Sequence, residues 1–469
     1  MINLSLIDIA QQVNGTLQGN DLIITNVSTD TREISADSLF IALVGPNFNG
    51  HVFANEARQN GAVAMIASEP VEAHMPVIMV EDTKAALGAL GAYVKQKVAP
   101  KTVGITGSSG KTTVKEMATA ILKECGSVLS TQGNFNNDIG VPLTLLRLEA
   151  EHEYAVIEMG ANHIGEIAYT TGLVKPDVAT IVNAAASHLE GFGSLFGVAR
   201  AKSEIFKGLS KSGTAILNYD SQFYDFWLGK LDNELIYSFS LNSAPGKGAD
   251  YSASQVGLAF NGCAHFIMHT PIGEMNIELT LPGIHNVGNA LLAAALSINV
   301  GASLENVRDG LAKIQHVKGR LEVKQLSEKV RLLDDSYNAN VASVTAAIKL
   351  LSSYEGRRVL VLGDMAELGD QARHYHEQVG ELAKSESIEM FYTLGELSKS
   401  ASDMFGEGGQ HFSHIEPLLD ALYKELYAND NDITILVKGS RSSRMDRVVT
   451  AIEGAPLSNA QHYGGFTEC

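Results

Sequence analysis

The chain has 469 residues, 45% of them hydrophobic and 19% charged. At ~150 residues per domain this length allows roughly three domains, and the composition is that of a globular rather than a disordered protein. Acidic residues (53) outnumber basic ones (35) for a formal net charge of −18, which excludes general nucleic-acid binding because that needs a basic footprint.

In chain order, the opening MINLSLIDIAQQVNG has no basic segment and carries Asp8 early, so it is unlike a secretory signal. Residues 1–82 read as a small α/β unit. β-like runs at 22–25, 39–43, 62–67 and 77–80 accompany a helical stretch at 53–60, and the 44–51 loop is rich in turn formers. A helix is expected over 83–97, stopped by Pro100. A strand over 102–106, a glycine-rich turn and a helix over 112–124 follow. Buried strands at 155–159, 178–183 and 214–218 then alternate with helices, which argues for βαβ units and a mainly parallel sheet. Between residues 235 and 281 the pattern changes to short alternating runs, with a hairpin signal at Asn261-Gly262. That stretch predicts an antiparallel sub-sheet added to the central domain. A helix over 285–299 follows. Strands at 330–334, 358–363, 390–394 and 433–438 alternate with helices as a second open, Rossmann-like α/β domain. The expected domains are 1–82, 83–318 and 319–469. No apolar run approaches the ~18 residues of a spanning helix. Cys125, Cys263 and Cys469 are odd in number and far apart, so neither a disulfide framework nor a zinc site is expected. The expectation is a cytoplasmic α/β protein with no membrane insertion and no nucleic-acid partner.

The sharpest local signal is Gly104-Ile-Thr-Gly107-Ser108-Ser109-Gly110-Lys111-Thr112-Thr113. It follows a strand and opens a helix, the context a phosphate-cradling loop requires. Its glycines let backbone N–H groups turn inward, and the helix N-terminus adds partial positive charge. Lys111 is placed to reach β- and γ-phosphates, and a threonine hydroxyl to ligate Mg²⁺. The spacing departs from the strict G-x4-G-K-[ST] pattern, because the position five before Gly110 is Ile105 and glycines stand at 104 and 107 instead. No N-K-x-D guanine motif is present. Glu158 ends the next buried strand, and ligands bind at the carboxyl ends of parallel strands.

The loop at 104–113, GNFNNDIG at 133–140 and EMGANHIGE at 158–166 resemble the Mur ligase family. The resemblance covers the whole chain, one block per family domain. DDSYNAN at 334–340, GDMAELG at 363–369 and KGSR at 438–441 resemble the branch that adds D-alanyl-D-alanine. The resemblance implies an N-terminal UDP-sugar domain, a central ATP domain and a C-terminal domain for the incoming amine. It also implies a monomer. The implied reaction, in peptidoglycan precursor synthesis, joins D-Ala-D-Ala to UDP-MurNAc-tripeptide through an acyl phosphate. Its cofactors are ATP and Mg²⁺, and its products are the pentapeptide, ADP and phosphate. The third domain is expected to swing onto the second when substrates bind.

The family pattern carries over residue by residue. Gly107, Ser108, Ser109, Gly110, Lys111, Thr112 and Thr113 would cradle the phosphates, with Asn286 and Asn289 on the adenine, Arg320 reaching ATP and Asp335 on the ribose. Thr112 and Glu158 would hold one Mg²⁺. His188 resembles the family's metal histidine, and Lys202 matches a position carried as a carbamate, which would serve a second Mg²⁺. Lys111, Glu158, His188 and Lys202 are thus the expected catalytic set. Ser28, Thr31, Arg32, Asn49 and His51 resemble UDP-binding turns. Asn134, Asn137, Asn338, Lys438, Ser440 and Arg441 fall on the side of the tripeptide and D-Ala-D-Ala. A folyl-polyglutamate-type ligase would begin near its phosphate loop, whereas here about a hundred residues precede it. A plain P-loop ATPase would not need the Glu158, His188 and Lys202 constellation.

Overall fold

The protein is described by a computed structural model covering residues 1–455 except 233–234, 260, 315–317 and 429–431. Cys469 lies outside the described residues. The chain forms three α/β bodies, each built on its own sheet of five or six strands.

In the first body the sheet order is Thr16–Gln18, Val77–Met79, Ala62–Ala67, Ser38–Ile41, Asn26–Ser28. Successive residues of a strand face opposite sides. Leu39, Ile41, Ala64 and Ile66 therefore enter one core, and Phe40, Met65 and Ala67 another. The helix Thr83–Val98 starts where the Asp82 carboxylate accepts the N–H groups of Lys84 and Ala85. It ends at Ala99, in a left-handed conformation just before Pro100. Its Leu87, Leu90 and Val94 join the core that also holds Ile41 and Ile157, so the first and second bodies share continuous apolar packing.

The central sheet is parallel throughout, in the order Val128–Ser130, Tyr154–Glu158, Lys101–Thr106, Val178–Ile181, Thr214–Asn218, Leu235–Phe239. Leu235–Phe239 corrects the expectation that the antiparallel region starts at 235. It follows the helix Tyr224–Leu228 and returns beside Thr214–Asn218 in parallel register, with Leu235 exposed and Ser238 and Phe239 buried. The antiparallel sub-sheet is Ser252–Leu258, Cys263–Thr270 and Gly273–Pro282. The expected hairpin joins its first two strands, with Gly262 at φ +78° and Ala259 N donating to Cys263 O at 2.8 Å. Phe266, Met268, Ile277 and Leu279 of this sub-sheet pack in one core with the helix His285–Ile298.

The third sheet runs Glu322–Gln325, Val330–Asp335, Ile433–Lys438, Arg357–Gly363, Met390–Leu394, Gly409–Phe412, parallel except for the first pair. Its four inner strands are those expected. The two outer strands were not, because they are short and only partly buried. Among the described residues no helix is long and apolar enough to cross a membrane.

The helix Lys111–Lys123, which carries the phosphate loop at its N-terminus, is wedged between His285–Ile298 and Leu304–Ala312. Gly310 permits the second contact, since a Cβ there would overlap the Ile121 backbone. Gly310→Ala should therefore cost about 1–3 kcal/mol through overpacking, read as a lower urea midpoint. An unchanged midpoint would show that the two helices part without cost.

Candidate active site

Gly107 (φ +155°) and Gly110 (φ +76°) bend the phosphate loop at the carboxyl end of Lys101–Thr106. At Gly110 the left-handed turn excludes most side chains. The loop is fastened to the end of the neighbouring strand: Ser108 N donates to Asn183 O (3.0 Å) and Ser109 N to Asn183 Oδ1 (3.0 Å). The Ser108 hydroxyl donates to Ala185 O at 3.1 Å. Lys111 folds back over the loop, its Nζ donating to Gly107 O at 2.8 Å. Burial pulls its pKa down, and the nearby Glu158 carboxylate opposes that shift.

Glu158 is buried at the end of Tyr154–Glu158. Its Oε2 accepts from Thr112 Oγ1 (2.9 Å) and its Oε1 from Asn136 Nδ2 (2.7 Å). A carboxylate touching a hydroxyl at the head of the phosphate-loop helix is a hard-oxygen pair suited to Mg²⁺. Lys202 is 1% exposed, its ammonium 5.4 Å from the Phe192 ring centroid. Burial, with the charge of Lys111 behind it, brings its pKa down to about 7. His188, at φ +51°, stands across from the third body with Nδ1 2.5 Å from Glu367 Oε2. Among the described residues no three His, Cys, Asp or Glu side chains converge as a ready-made metal site. A metal here would depend on the Thr112–Glu158 pair, and a second on converting Lys202 into an oxygen donor.

The third body closes the site from the other side. Asn340 Nδ2 donates to Ser108 O at 3.1 Å, and Tyr354 Oη to Asn261 O at 3.2 Å. Arg320 stacks on the Tyr337 ring at 4.4 Å, and Arg441 lies 5.6 Å from the same ring. Lys438, 2% exposed, donates to Asp335 Oδ2 (2.5 Å) and Asn338 O (2.9 Å). His285 is pushed down to about 4, by burial first and then by Lys438, and is therefore neutral at pH 7. Asn289 Nδ2 donates to Asn286 Oδ1 (2.8 Å), and Asn286 Nδ2 to Pro282 O (2.7 Å).

One cavity of about 670 Å³ lies between the second and third bodies. It brings together Ser108 to Thr113, Asn134, Asn137, Glu158, His188, Lys202, Asn286, Asn289, Arg320, Asp335, Asn338, Lys438 and Arg441. Two expected residues are not on its wall. Gly107 shapes the loop from behind, where Val182 Cβ leaves no room for a side chain. Ser440 is buried, its hydroxyl accepting from Ala366 N (2.8 Å) and donating to Ala339 O (3.3 Å).

The five residues of the UDP-like turns lie on the first body, off the cavity wall, in two hydrogen-bonded groups. Ser28 Oγ donates to Asp30 O (2.8 Å) and Thr31 Oγ1 to Glu56 Oε1 (2.6 Å). Arg32, 83% exposed, pairs with Asp30 at 2.5 Å and holds that carboxyl down at about 2. Asn49 Nδ2 donates to Glu69 Oε1 (2.8 Å), and His51 bridges Asn49 Oδ1 (2.6 Å) and Ser68 N (2.9 Å).

Asn183, His285 and Tyr337 were not anticipated as site residues. A polar residue at a strand end beside the phosphate-loop strand was the available signal for Asn183. Asn136 lay inside the 133–140 run without a role of its own.

Three family descriptions match the chain: Mur ligase family, catalytic domain over 23–95; Mur ligase middle domain over 105–297; and Mur ligase, glutamate ligase domain over 319–441. The UDP-N-acetylmuramoyl-tripeptide--D-alanyl-D-alanine ligase of Escherichia coli (strain K12) is 48% identical over 453 residues, 97% of this chain and 99% of that one. A crystal structure of MurF from Acinetobacter baumannii superimposes with a TM-score of 0.91 at 35% identity, covering 97% of this chain and 99% of that one. The MurF ligase of Thermotoga maritima in complex with ADP gives 0.81 at 26% identity, over 91% and 97% of the two chains. With family matches on all three bodies and near-complete coverage by a 48% identical relative, the chain belongs to the Mur ligase family.

Proposed function

We propose that this chain joins D-alanyl-D-alanine to the terminal carboxylate of UDP-N-acetylmuramoyl-tripeptide at the expense of ATP, in the cytoplasm, as a step of peptidoglycan precursor synthesis. The observation that carries the proposal is a single cavity in which a phosphate loop, a Thr112–Glu158 pair, the buried Lys202 and third-body cations converge. Its support from relatives is the Escherichia coli ligase of that name and the Thermotoga maritima structure holding ADP. The domains assigned are 1–82 for the UDP-sugar, 83–318 for ATP and 319–469 for the amine, with the UDP-like turns of the first body holding the nucleotide end of the acceptor.

A carboxylate acylates poorly until it carries a phosphate leaving group, so the protein's task is positioning and charge neutralisation. Loop N–H groups and Lys111 hold the triphosphate, and Lys111 offsets the repulsion between the γ-phosphate and the acceptor carboxylate. Asn286 and Asn289 face the adenine, and Asp335, held by Lys438, faces the ribose. Arg320, braced by Tyr337, brings a third-body cation to the phosphates. Thr112 and Glu158 would hold a Mg²⁺, and His188 with carbamylated Lys202 a second; the ions would supply electrophilic stabilisation of the transferring phosphoryl group and the acceptor carboxylate. The Asn340–Ser108 contact then describes the closed arrangement, which the substrates favour over an open one.

Phosphate release should require UDP-MurNAc-tripeptide and D-Ala-D-Ala together and yield the pentapeptide mass. Release without either would point to a plain ATPase, and turnover with another amine would change the branch. Lys111→Ala should abolish turnover with an unchanged circular dichroism spectrum; retained ligation would remove Lys111 from the mechanism.

Free lysine titrates near 10.5 and Lys202 at about 7. Between these values the folded chain holds Lys202 neutral while the unfolded chain protonates it. This group's contribution to stability therefore rises with pH across that window, and its full penalty applies below it. The neutral amine is also the form that captures carbon dioxide. With ¹³C-bicarbonate, a carbamate resonance should grow as pH rises through 7 and be absent in Lys202→Arg, whose turnover should fall about 100-fold. Full activity in that variant would exclude the carbamate.

Small-angle scattering should show contraction when ATP and UDP-tripeptide are added. Identical profiles would mean that the third body does not move.

A further inference from the structure

Glu367 belongs to the 363–369 run, to which no role above is assigned. It follows the strand Arg357–Gly363 and sits at φ +62°, an uncommon conformation for a residue with a side chain. The surrounding loop is stapled in place. Ala366 N donates to Ser440 Oγ (2.8 Å), Met365 N to His376 Nε2 (3.0 Å) and Ser440 N to Asp364 O (3.0 Å). This backbone projects the Glu367 carboxylate out of the third body, to 2.5 Å from His188 on the central one.

Two other carboxylates at this edge of the third sheet are committed elsewhere. Asp335 is taken by Lys438, and Asp364 by the N–H groups of Glu396 (3.0 Å) and Ser398 (2.8 Å). Glu367 remains 52% exposed, with His188 as its contact on the central body. The dipeptide arrives in water as a zwitterion. The cavity wall carries Lys111, Lys202, Arg320, Lys438 and Arg441, which suit the dipeptide's carboxylate and repel its ammonium. The wall's other carboxylates are engaged: Glu158 by Thr112 and Asn136, Glu166 by Asn162 N (2.9 Å) and Asp220 by Ser240 Oγ (2.6 Å), whereas Glu367, itself off the wall, touches His188, which is on it. The ammonium end, which must approach the acyl carbon, needs a carboxylate facing the junction of the two bodies.

We propose that Glu367 receives the ammonium of the incoming D-alanyl-D-alanine and positions it beside the acyl group near His188 and Lys202, where the ammonium gives up a proton to solvent and the free amine attacks the acyl carbon as phosphate leaves. Its contact with His188 is then the one it keeps until the dipeptide arrives. This assignment rests on the ligase proposal above.

The test compares Glu367→Gln and Glu367→Asp with the wild type. In Glu367→Gln the KM for D-Ala-D-Ala should rise about tenfold or more, as expected for loss of a charge-assisted contact, while KM for ATP and UDP-tripeptide stays within about twofold. Acyl-phosphate formation without the dipeptide, followed by positional isotope exchange in ATP, should persist, and Glu367→Asp should recover part of the dipeptide KM. An unchanged dipeptide KM overturns the assignment. A parallel rise in all three constants also overturns it, because it would make Glu367 a docking contact between the bodies. A wild-type chain that shows no dipeptide-dependent phosphate release would overturn the ligase proposal itself, and this assignment with it. Normal wild-type turnover with an unaffected Glu367→Gln would overturn this assignment alone.

Discussion

The site depends on how the phosphate loop is pinned. A glycine-rich loop between strand and helix has many conformations, and it cradles an anion only if its N–H groups converge. Here Asn183 removes that freedom by accepting from both Ser108 N and Ser109 N. It does so because Val178–Ile181 runs parallel to Lys101–Thr106, bringing both carboxyl ends to one edge. The parallel register therefore decides where the loop sits. The same edge presents Glu158, whose strand pairs with Lys101–Thr106 on the other side.

The second constraint is charge. A chain at −18 must assemble a cationic pocket locally. It does so by burying lysines where protein packing, rather than water, surrounds them. Lys111 and Lys202 both lose basicity to burial, which makes each responsive to the charge that a substrate brings. Lys438 keeps a carboxylate partner in Asp335, so its burial is compensated. Two lysines on the cavity wall differ: Lys438 is held by its carboxylate partner, whereas Lys202 has no ion-pair partner among the described residues.

The third constraint is that the site is shared between bodies. The first and second share apolar packing through Thr83–Val98. The third meets the second through polar contacts: Asn340 with Ser108, Tyr354 with Asn261 and Glu367 with His188. Polar contacts exchange with water at little net cost, so this junction suits opening and closing, whereas the apolar junction resists it.

Much of this was legible in the chain itself. The buried parallel strands stood out because both faces are covered and their residues are apolar throughout. The phosphate loop stood out because glycine, lysine and threonine in that order have few other uses between a strand and a helix, and Glu158 because it ends such a strand. Leu235–Phe239 was misassigned because a short partly buried strand reads alike whether its neighbour is parallel or antiparallel, and only the pairing with Thr214–Asn218 distinguishes the two. The roles of Asn183, Asn136, Tyr337 and Glu367 could not be read from the chain, since what each does depends on a partner 17 to 179 positions away. Ser440 looked available for a substrate until packing gave its hydroxyl two backbone partners. Local chemistry and periodicity are properties of neighbours in sequence, and so the chain by itself determined the elements and the kind of ligand. Burial, pKa and the facing of one body by another arise from neighbours in space, and these the tertiary structure alone decided.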